Sequence, residues 1–292
     1  MQNLDCSIII VNYNTCKLTL ECVESIQKFS TGFTYEIIVV DNASSDESSV
    51  ILPKTENIRF IQSGHNLGFG FANNLGAKSA KGKFLFLLNS DTILLENSIK
   101  KMLDFYVANQ NILNIGALGC ILTDEDGNFI NSGGFFPKAK NYINTYFGKN
   151  LKEFEISTKN EFQEIDFVTG ADLMILRQIY EEVGGFDENF FLYYEETDLQ
   201  KRLVNLGYKN YIVTTTKIIH LEGGSDLGAT VSNFKRTVIH QSRNRYLKKH
   251  DRENYYKYIF LDFFATFGRL ANKQYTTKEK FAFLKANFKS YF

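Results

Sequence analysis

Apolar residues recur along this chain in two rhythms. Short, unbroken apolar runs at Ser7–Val11, Tyr35–Val40, Ile58–Gln62 and Phe84–Leu88 predict strands buried on both faces. Between them, Thr15–Phe29, Phe69–Ala80 and Glu96–Ala108 repeat apolar residues at helical spacing, and Ser44-Ser45-Asp46 suits the start of a further helix. Strand alternating with helix through residue 110 predicts a parallel sheet covered on both sides. The rhythm then changes. Ile115–Leu122, an Asp124-Glu125-Asp126-Gly127 turn and Asn128–Ile130 predict a hairpin. Residues 131–165 have little periodicity, and long loops in compact domains are often functional. Ala171–Leu176 and Lys217–His220 read as strands, with a helix over Glu195–Leu206.

Each of the first strands ends on short polar side chains. The clusters are Asn12-Tyr13-Asn14, Asp41-Asn42, His65-Asn66-Leu67-Gly68 and Asn89-Ser90-Asp91. In a parallel sheet these ends converge on one edge, where α/β proteins bind ligands. Asn, Asp and Gly are also ordinary turn residues, so each cluster alone is weak. Together they indicate a nucleotide pocket. Asp41 can accept from a pyrimidine NH or a ribose hydroxyl. Asp91 either caps a loop or holds a divalent cation against a phosphate.

Other phosphate-binding signatures are missing. Gly68-Phe69-Gly70-Phe71-Ala72-Asn73 begins like a dinucleotide fingerprint, but Asn73 replaces the last glycine and the segment follows the third strand. It reads as a tight turn packing a helix on the sheet. No Walker-type Gly-Lys-Ser/Thr occurs, which disfavours a kinase or NTPase.

Two later clusters carry chemistry. Glu195-Glu196-Thr197-Asp198 follows the aromatic Phe190-Phe191-Leu192-Tyr193-Tyr194, where a poorly solvated carboxylate can serve as general base. Its plain alternative is an acidic helix N-terminus with Asp198 pairing Arg202. His220-Leu221-Glu222-Gly223-Gly224-Ser225 places a histidine at a strand end, able to complete a metal site or contact a phosphate.

Composition narrows the setting. With 44% hydrophobic and 23% charged residues the chain is globular. No apolar run is long enough to span a bilayer, and the N-terminus does not read as a secretion signal. Cys6, Cys16, Cys22 and Cys120 have neither zinc nor disulfide spacing, so reduced thiols and a cytoplasmic location are expected. The zero net charge hides an asymmetry. Residues 1–234 carry 19 Lys+Arg against 29 Asp+Glu, a net of −10, whereas residues 235–292 carry 14 against 4, a net of +10. The break near 235 marks a boundary between a main domain (1–234) and a basic, aromatic helical tail.

In that tail Tyr256, Phe260, Phe263, Phe264, Phe267 and Leu270 recur at helical spacing among Lys and Arg. Such a helix either lies in an anionic membrane surface or packs on the main domain or on a second copy as a homodimer. Nucleic-acid binding is a poorer account, because no recognisable module accompanies the charges.

With these segments in view, the chain resembles the family 2 glycosyltransferases of GT-A type, and is most similar to the rhamnosyltransferase-like branch that builds bacterial surface polysaccharides. The resemblance covers roughly residues 5–250 and rests on six ordered motifs: Ser7–Thr15, Ile37–Asp46, Asn66–Gly76, Phe84–Thr92, Gly184–Asp198 and His220–Ser225. It implies a mixed, mostly parallel GT-A sheet flanked by helices, with a nucleotide-binding half (1–110), an acceptor-binding half (111–234) and a C-terminal helical appendage (235–292). By resemblance, Asn12, Asn14, Asp41 and Asn66 line the nucleoside pocket of a nucleotide-sugar donor, dTDP-rhamnose or a UDP-hexose. Asn89-Ser90-Asp91 stands where the family has Asp-x-Asp, so Asp91 binds Mg²⁺ or Mn²⁺ and His220 completes the site. Glu196 falls at the base of the family's Glu-Asp motif, with Glu195 and Asp198 as rivals. The implied reaction is one inverting displacement onto a saccharide or lipid-linked saccharide acceptor.

Two departures stand out: Asn89 replaces the first acid, and Glu196 is one methylene longer than the usual Asp. They keep a non-catalytic nucleotide- or carbohydrate-binding protein open. A nucleotidyltransferase is the catalytic alternative, but its Gly-rich basic loop is replaced by Asn12-Tyr13-Asn14-Thr15, with only Lys17 nearby.

Overall fold

The computed structural model describes residues 4–151, 154–221, 232–268 and 275–291. Glu222–Ser225 and Leu270 therefore lie outside the described residues. Four parallel strands open the chain: β1 (Cys6–Asn12), β2 (Tyr35–Asp41), β3 (Ile58–Gln62) and β4 (Phe84–Asn89). Helices α1 (Cys16–Phe29), α2 (Ser48–Ile51) and α3 (Phe69–Ser79) connect them. After β5 (Thr92–Leu94) come α4 (Ser98–Leu113), β6 (Ile115–Thr123), β7 (Gly133–Gly134) and α5 (Ala139–Tyr146). Then follow β8 (Phe162–Ile165), β9 (Phe167–Val168), β10 (Asp172–Leu176), α6 (Arg177–Glu182), α7 (Glu195–Asn205) and β11 (Lys209–His220). Helices α8 (Asn233–His250), α9 (Arg252–Gly268) and α10 (Thr277–Tyr291) complete the described chain.

The main sheet runs β3-β2-β1-β4-β10-β6-β11-β5, with β8 added alongside β11. It is mixed because β10 enters antiparallel to both β4 and β6. Alternate side chains of β1, β2 and β4 feed two cores. One holds Ile8, Ile10 and Phe86 against α1 and α4, and the other holds Ile9, Leu85 and Leu87 against α3 and α7. A third, largely aromatic cluster joins α5, α8 and α9 around Tyr246 and Tyr258.

Several expectations change. The hairpin after β6 shrinks to one bridge, Thr123 with Phe129. β11 pairs with β6 up to Thr123; on the other edge the Ile130 N–H donates to the Leu122 carbonyl and the Leu122 N–H donates to the Ser132 hydroxyl, so a side chain stands where a ladder bond would be. The helix expected from Ser44 starts at Ser48, whose N–H donates to Asp46 Oδ1 at 3.1 Å. Helix α4 begins at Ser98, since the Glu96 carboxylate is drawn off to Thr216 and Lys101, both at 2.6 Å. The strand expected at Lys217–His220 begins at Lys209. Within residues 131–165, α5 and β8 form where the sequence has little periodicity.

The Gly68 turn brings the two halves of the chain together. Gly68 has φ +99°, and a Cβ there would lie 2.1 Å from the Phe191 carbonyl oxygen. That oxygen accepts the Phe69 N–H at 3.0 Å. Gly68→Ala should therefore destabilise the fold by more than about 1 kcal/mol, because strain and overlap add. Urea unfolding measures it, and an unchanged midpoint would show that this contact is dispensable.

Candidate active site

The ends of β1 to β4 lie on one edge of the sheet, as parallel pairing requires, with Asn12 level with Asp41 and Val11 with Asn89. Asn12 is fully buried and donates to Asp41 Oδ1 at 2.7 Å and Ser44 Oγ at 3.0 Å, while the Thr19 hydroxyl donates to its side-chain oxygen Oδ1 at 2.7 Å. Asp41 also accepts from the Ser44 hydroxyl and N–H. Asn12 thus braces Asp41 and the loop after β2. Asn14 is exposed, adopts φ +56° and accepts the Ser45 N–H at 2.7 Å. Asn66 accepts from Asn42 at 2.9 Å and from Gly68 N–H at 3.1 Å. The four residues form two braced pairs of loops around the strand ends.

At β4 the three polar residues separate in role. Ser90 Oγ sits 3.0 Å from Thr15 Oγ1, tying the turn to α1. Asn89 Nδ2 and Asp91 Oδ1 both lie 3.3 Å from His220 Nε2. Pairing of β5 with β11 sets this meeting, since His220 is level with Thr92. Among the described residues no group of three or more His, Cys, Asp or Glu side chains is placed to hold a metal. One carboxylate, one imidazole and a rotatable amide oxygen nevertheless converge here. That set suits Mg²⁺ or Mn²⁺ bound partly by substrate phosphates.

The acids before and within α7 also part company. Glu196 lines a cavity of about 1050 Å³ walled by Phe136, Tyr142, Phe154, Phe167, Tyr193 and Tyr194. Burial pushes its carboxyl above the ordinary carboxylate value. Glu195 is 3% exposed and packs beside Gly70 of α3; burial, then the Glu196 charge, raise it well above normal. Asp198 is fully buried. Burial works to raise its pKa, but hydrogen bonds from His250 (2.7 Å) and Lys249, with the Arg202 charge, hold it low. Its second oxygen accepts from Arg202 at 2.8 Å. Asp198 therefore ties α7 to α8, with both oxygens engaged.

Between the strand edge and the cavity lies Thr169-Gly170-Ala171-Asp172, to which the sequence reading gave no role. The Ala171 carbonyl accepts the Asn89 N–H at 3.0 Å. A Cβ on Gly170 would lie 3.6 Å from that of Glu196 and 3.3 Å from the Phe69 ring. Asp172 is fully buried and accepts the Cys120 N–H at 2.6 Å, yet burial pushes its pKa up to about 7. The one sequence signal was a glycine beside the start of a strand.

A model of the family described as glycosyl transferase family 2 matches residues 7–184. The chain belongs to that family. This transferase-family chain is 26% identical over 212 residues to an N-acetylglucosaminyl-diphospho-decaprenol L-rhamnosyltransferase of Mycobacterium tuberculosis, covering 63% of this chain and 66% of the relative. It thus spans just under two thirds of that relative's length. Its fold is shared with GalNAc-T7 bound to UDP, GalNAc and Mn²⁺, at TM-score 0.68 and 16% identity over 99% of this chain and 55% of that one. It is also shared with the Pyrobaculum calidifontis mannosyltransferase PcManGT bound to GDP-Man and Mn²⁺, at TM-score 0.59 and 14% identity over 99% and 88%. The mixed sheet flanked by helices is thus of the GT-A kind.

Asp91→Asn should weaken UDP or dTDP binding in Mn²⁺ by about tenfold or more while leaving affinity in EDTA unchanged. Calorimetric titration reads both values, and equal affinity in Mn²⁺ would remove Asp91 from the cation site.

Proposed function

We propose that this protein is a metal-dependent, inverting glycosyltransferase that moves a sugar from dTDP-rhamnose or a UDP-hexose to a saccharide acceptor in surface-polysaccharide synthesis. The observation that carries this reading is the shared Gly170-Ala171 junction. It sets Glu196, on an aromatic cavity, one residue from the backbone bond to Asn89 at the strand edge. Aromatic walls suit the apolar faces of sugar rings, and the acid among them suits a hydroxyl about to lose its proton.

Asn14, Asp41 and Asn66 form the nucleoside rim, with Asn12 bracing Asp41. Asp91 and His220 would hold the cation, assisted by the Asn89 amide oxygen. When bound, it offsets the charge of the donor diphosphate. Glu196 accepts the proton of the acceptor hydroxyl as that oxygen bonds to the anomeric carbon. The bond from that carbon to the diphosphate oxygen breaks, the electron pair leaves with the nucleoside diphosphate, and configuration inverts. A nucleotidyltransferase is less well supported: Lys17, the one base near the first strand end, lies 3.7 Å from Glu21 in a solvent-exposed pair.

The acceptor we favour is lipid-linked, met at the inner face of the membrane. The M. tuberculosis relative carries a decaprenol-linked substrate in its name. Tyr256, Phe260 and Phe264 form an exposed stripe on α9 at four-residue spacing, and Phe281 and Phe288 are exposed on α10. Lys257 and Lys285 are exposed beside them. No helix among the described residues is long and apolar enough to cross a membrane. A stripe of this kind suits shallow attachment to anionic lipid.

Glu196→Gln should bind donor normally and lose about 100-fold or more of kcat, with nucleoside diphosphate release as the readout. Because burial raises Glu196, wild-type kcat should fall on acidification at a pH above the ordinary carboxylate range, as the base takes up its proton. Unimpaired turnover in the variant would assign the base elsewhere. For the membrane, Phe260→Ser with Phe264→Ser should abolish co-sedimentation with phosphatidylglycerol vesicles. Undiminished sedimentation would exclude the stripe, and a shift from dimer to monomer would reassign it to a second copy.

A further inference from the structure

The inner face of the C-terminal helices holds a polar cluster that the reaction above does not use. Asp262 of α9 is completely buried. His240 Nε2 of α8 lies 2.6 Å from one of its oxygens; Tyr146 of α5 donates to the other at 2.6 Å, and Arg243 of α8 approaches that oxygen at 3.4 Å. Burial works to raise the Asp262 pKa, but the His240 hydrogen bond and the charges of His240 and Arg243 hold it well below the carboxylate range. His240 Nδ1 faces the Asn287 side-chain oxygen at 2.9 Å. One carboxylate therefore gathers α5, α8 and α9, and His240 adds α10.

Helix α5 has only eight residues and cannot hold its shape alone. Both ends are fastened from the C-terminal helices. The Ala139 N–H donates to Asp251 at 2.7 Å, and Tyr146 reaches Asp262. One turn before Tyr146 stands Tyr142, its ring 5.0 Å from the Arg243 guanidinium. Tyr142 lines the cavity, and its hydroxyl lies 3.1 Å from that of Tyr194.

Tyr194 is where this chain of contacts reaches the reaction. Tyr193 and Tyr194 have φ of +66° and +69°, a left-handed backbone that is strained for non-glycine residues and persists only under external restraint. The Tyr194 carbonyl accepts the Asp198 N–H at 2.8 Å, opening α7 with Glu196 inside its first turn. Ser242 of α8 also donates to the Leu192 carbonyl at 2.8 Å.

We propose that the Asp262 cluster and Tyr142 are positioning residues: they fix α5 so that the Tyr142 hydroxyl holds Tyr194 and, through it, the turn that aims Glu196 into the acceptor cavity. The basic tail is then part of the catalytic apparatus, whatever else its outer face does. This proposal rests on Glu196 being the base.

Tyr142→Phe removes one hydroxyl and no charge. Hydrogen exchange in peptides spanning 193–198 should quicken by about tenfold while the melting temperature moves by less than about 2 °C. With dTDP-rhamnose or UDP-glucose, whichever wild type turns over, kcat should fall about tenfold at unchanged donor KM. Asp262→Asn should do the same and also loosen α5; if it fails to fold, Tyr142→Phe decides alone. Unchanged exchange at 193–198, or faster exchange with unchanged kcat, would overturn the proposal. Glu196→Gln run alongside separates the two readings: full activity there refutes the base assignment without touching the exchange result.

Discussion

One antiparallel strand sets the geometry of this protein. Strand β10 runs antiparallel to both β4 and β6 and so reverses the chain direction between two sets of parallel strands, β3-β2-β1-β4 and β6-β11. The N-terminal end of β10 therefore lies where β4 ends. Its approach segment, Thr169 to Ala171, is fixed to that edge by the hydrogen bond from Asn89 to Ala171. Were β10 parallel, this segment would lie at the opposite edge, and Gly170 could not back Glu196 beside the strand ends. The Val168 backbone, bonded through both N–H and C=O to Gln200 of α7, locks the same segment to the helix carrying the acid.

Much of the edge formed by the strand ends was legible from sequence. Apolar runs that end on Asn or Asp locate β1, β2 and β4, because a buried strand leaves no other place for those side chains. Asp91 and His220 were readable as partners by resemblance, but not from spacing, since β5–β11 pairing brings together residues far apart in the chain. Asp198 illustrates a harder case. The sequence shows an acid near Arg202, and that pair forms; Lys249 and His250, its other partners, come from another helix.

The aromatic cavity was less legible for a physical reason. Helix α5 is short and is held by Asp251 and Tyr146–Asp262 contacts, so its own periodicity carries little signal. Thr169–Asp172 contributes through backbone bonds and the lack of a side chain at Gly170, which hydrophobic patterning does not detect. Contacts across the charge break near residue 235 were not legible either, because they join residues far apart in the chain. Lys249, His250 and Arg243 satisfy buried acids, while the aromatic stripe of α9 stays outside.

With Asn89 in place of the first acid, the proposed cation site has Asp91 and His220 as its anchoring pair. A crystal of the protein with Mn²⁺ and UDP or dTDP, measured for anomalous scattering from manganese, tests the account most directly. The predicted result is a peak within coordination distance of Asp91 and His220, about 2.0–2.3 Å, with the diphosphate on its far side and the nucleoside against the Asp41 and Asn66 loops. Nucleotide bound with manganese at any other place on the protein would contradict it.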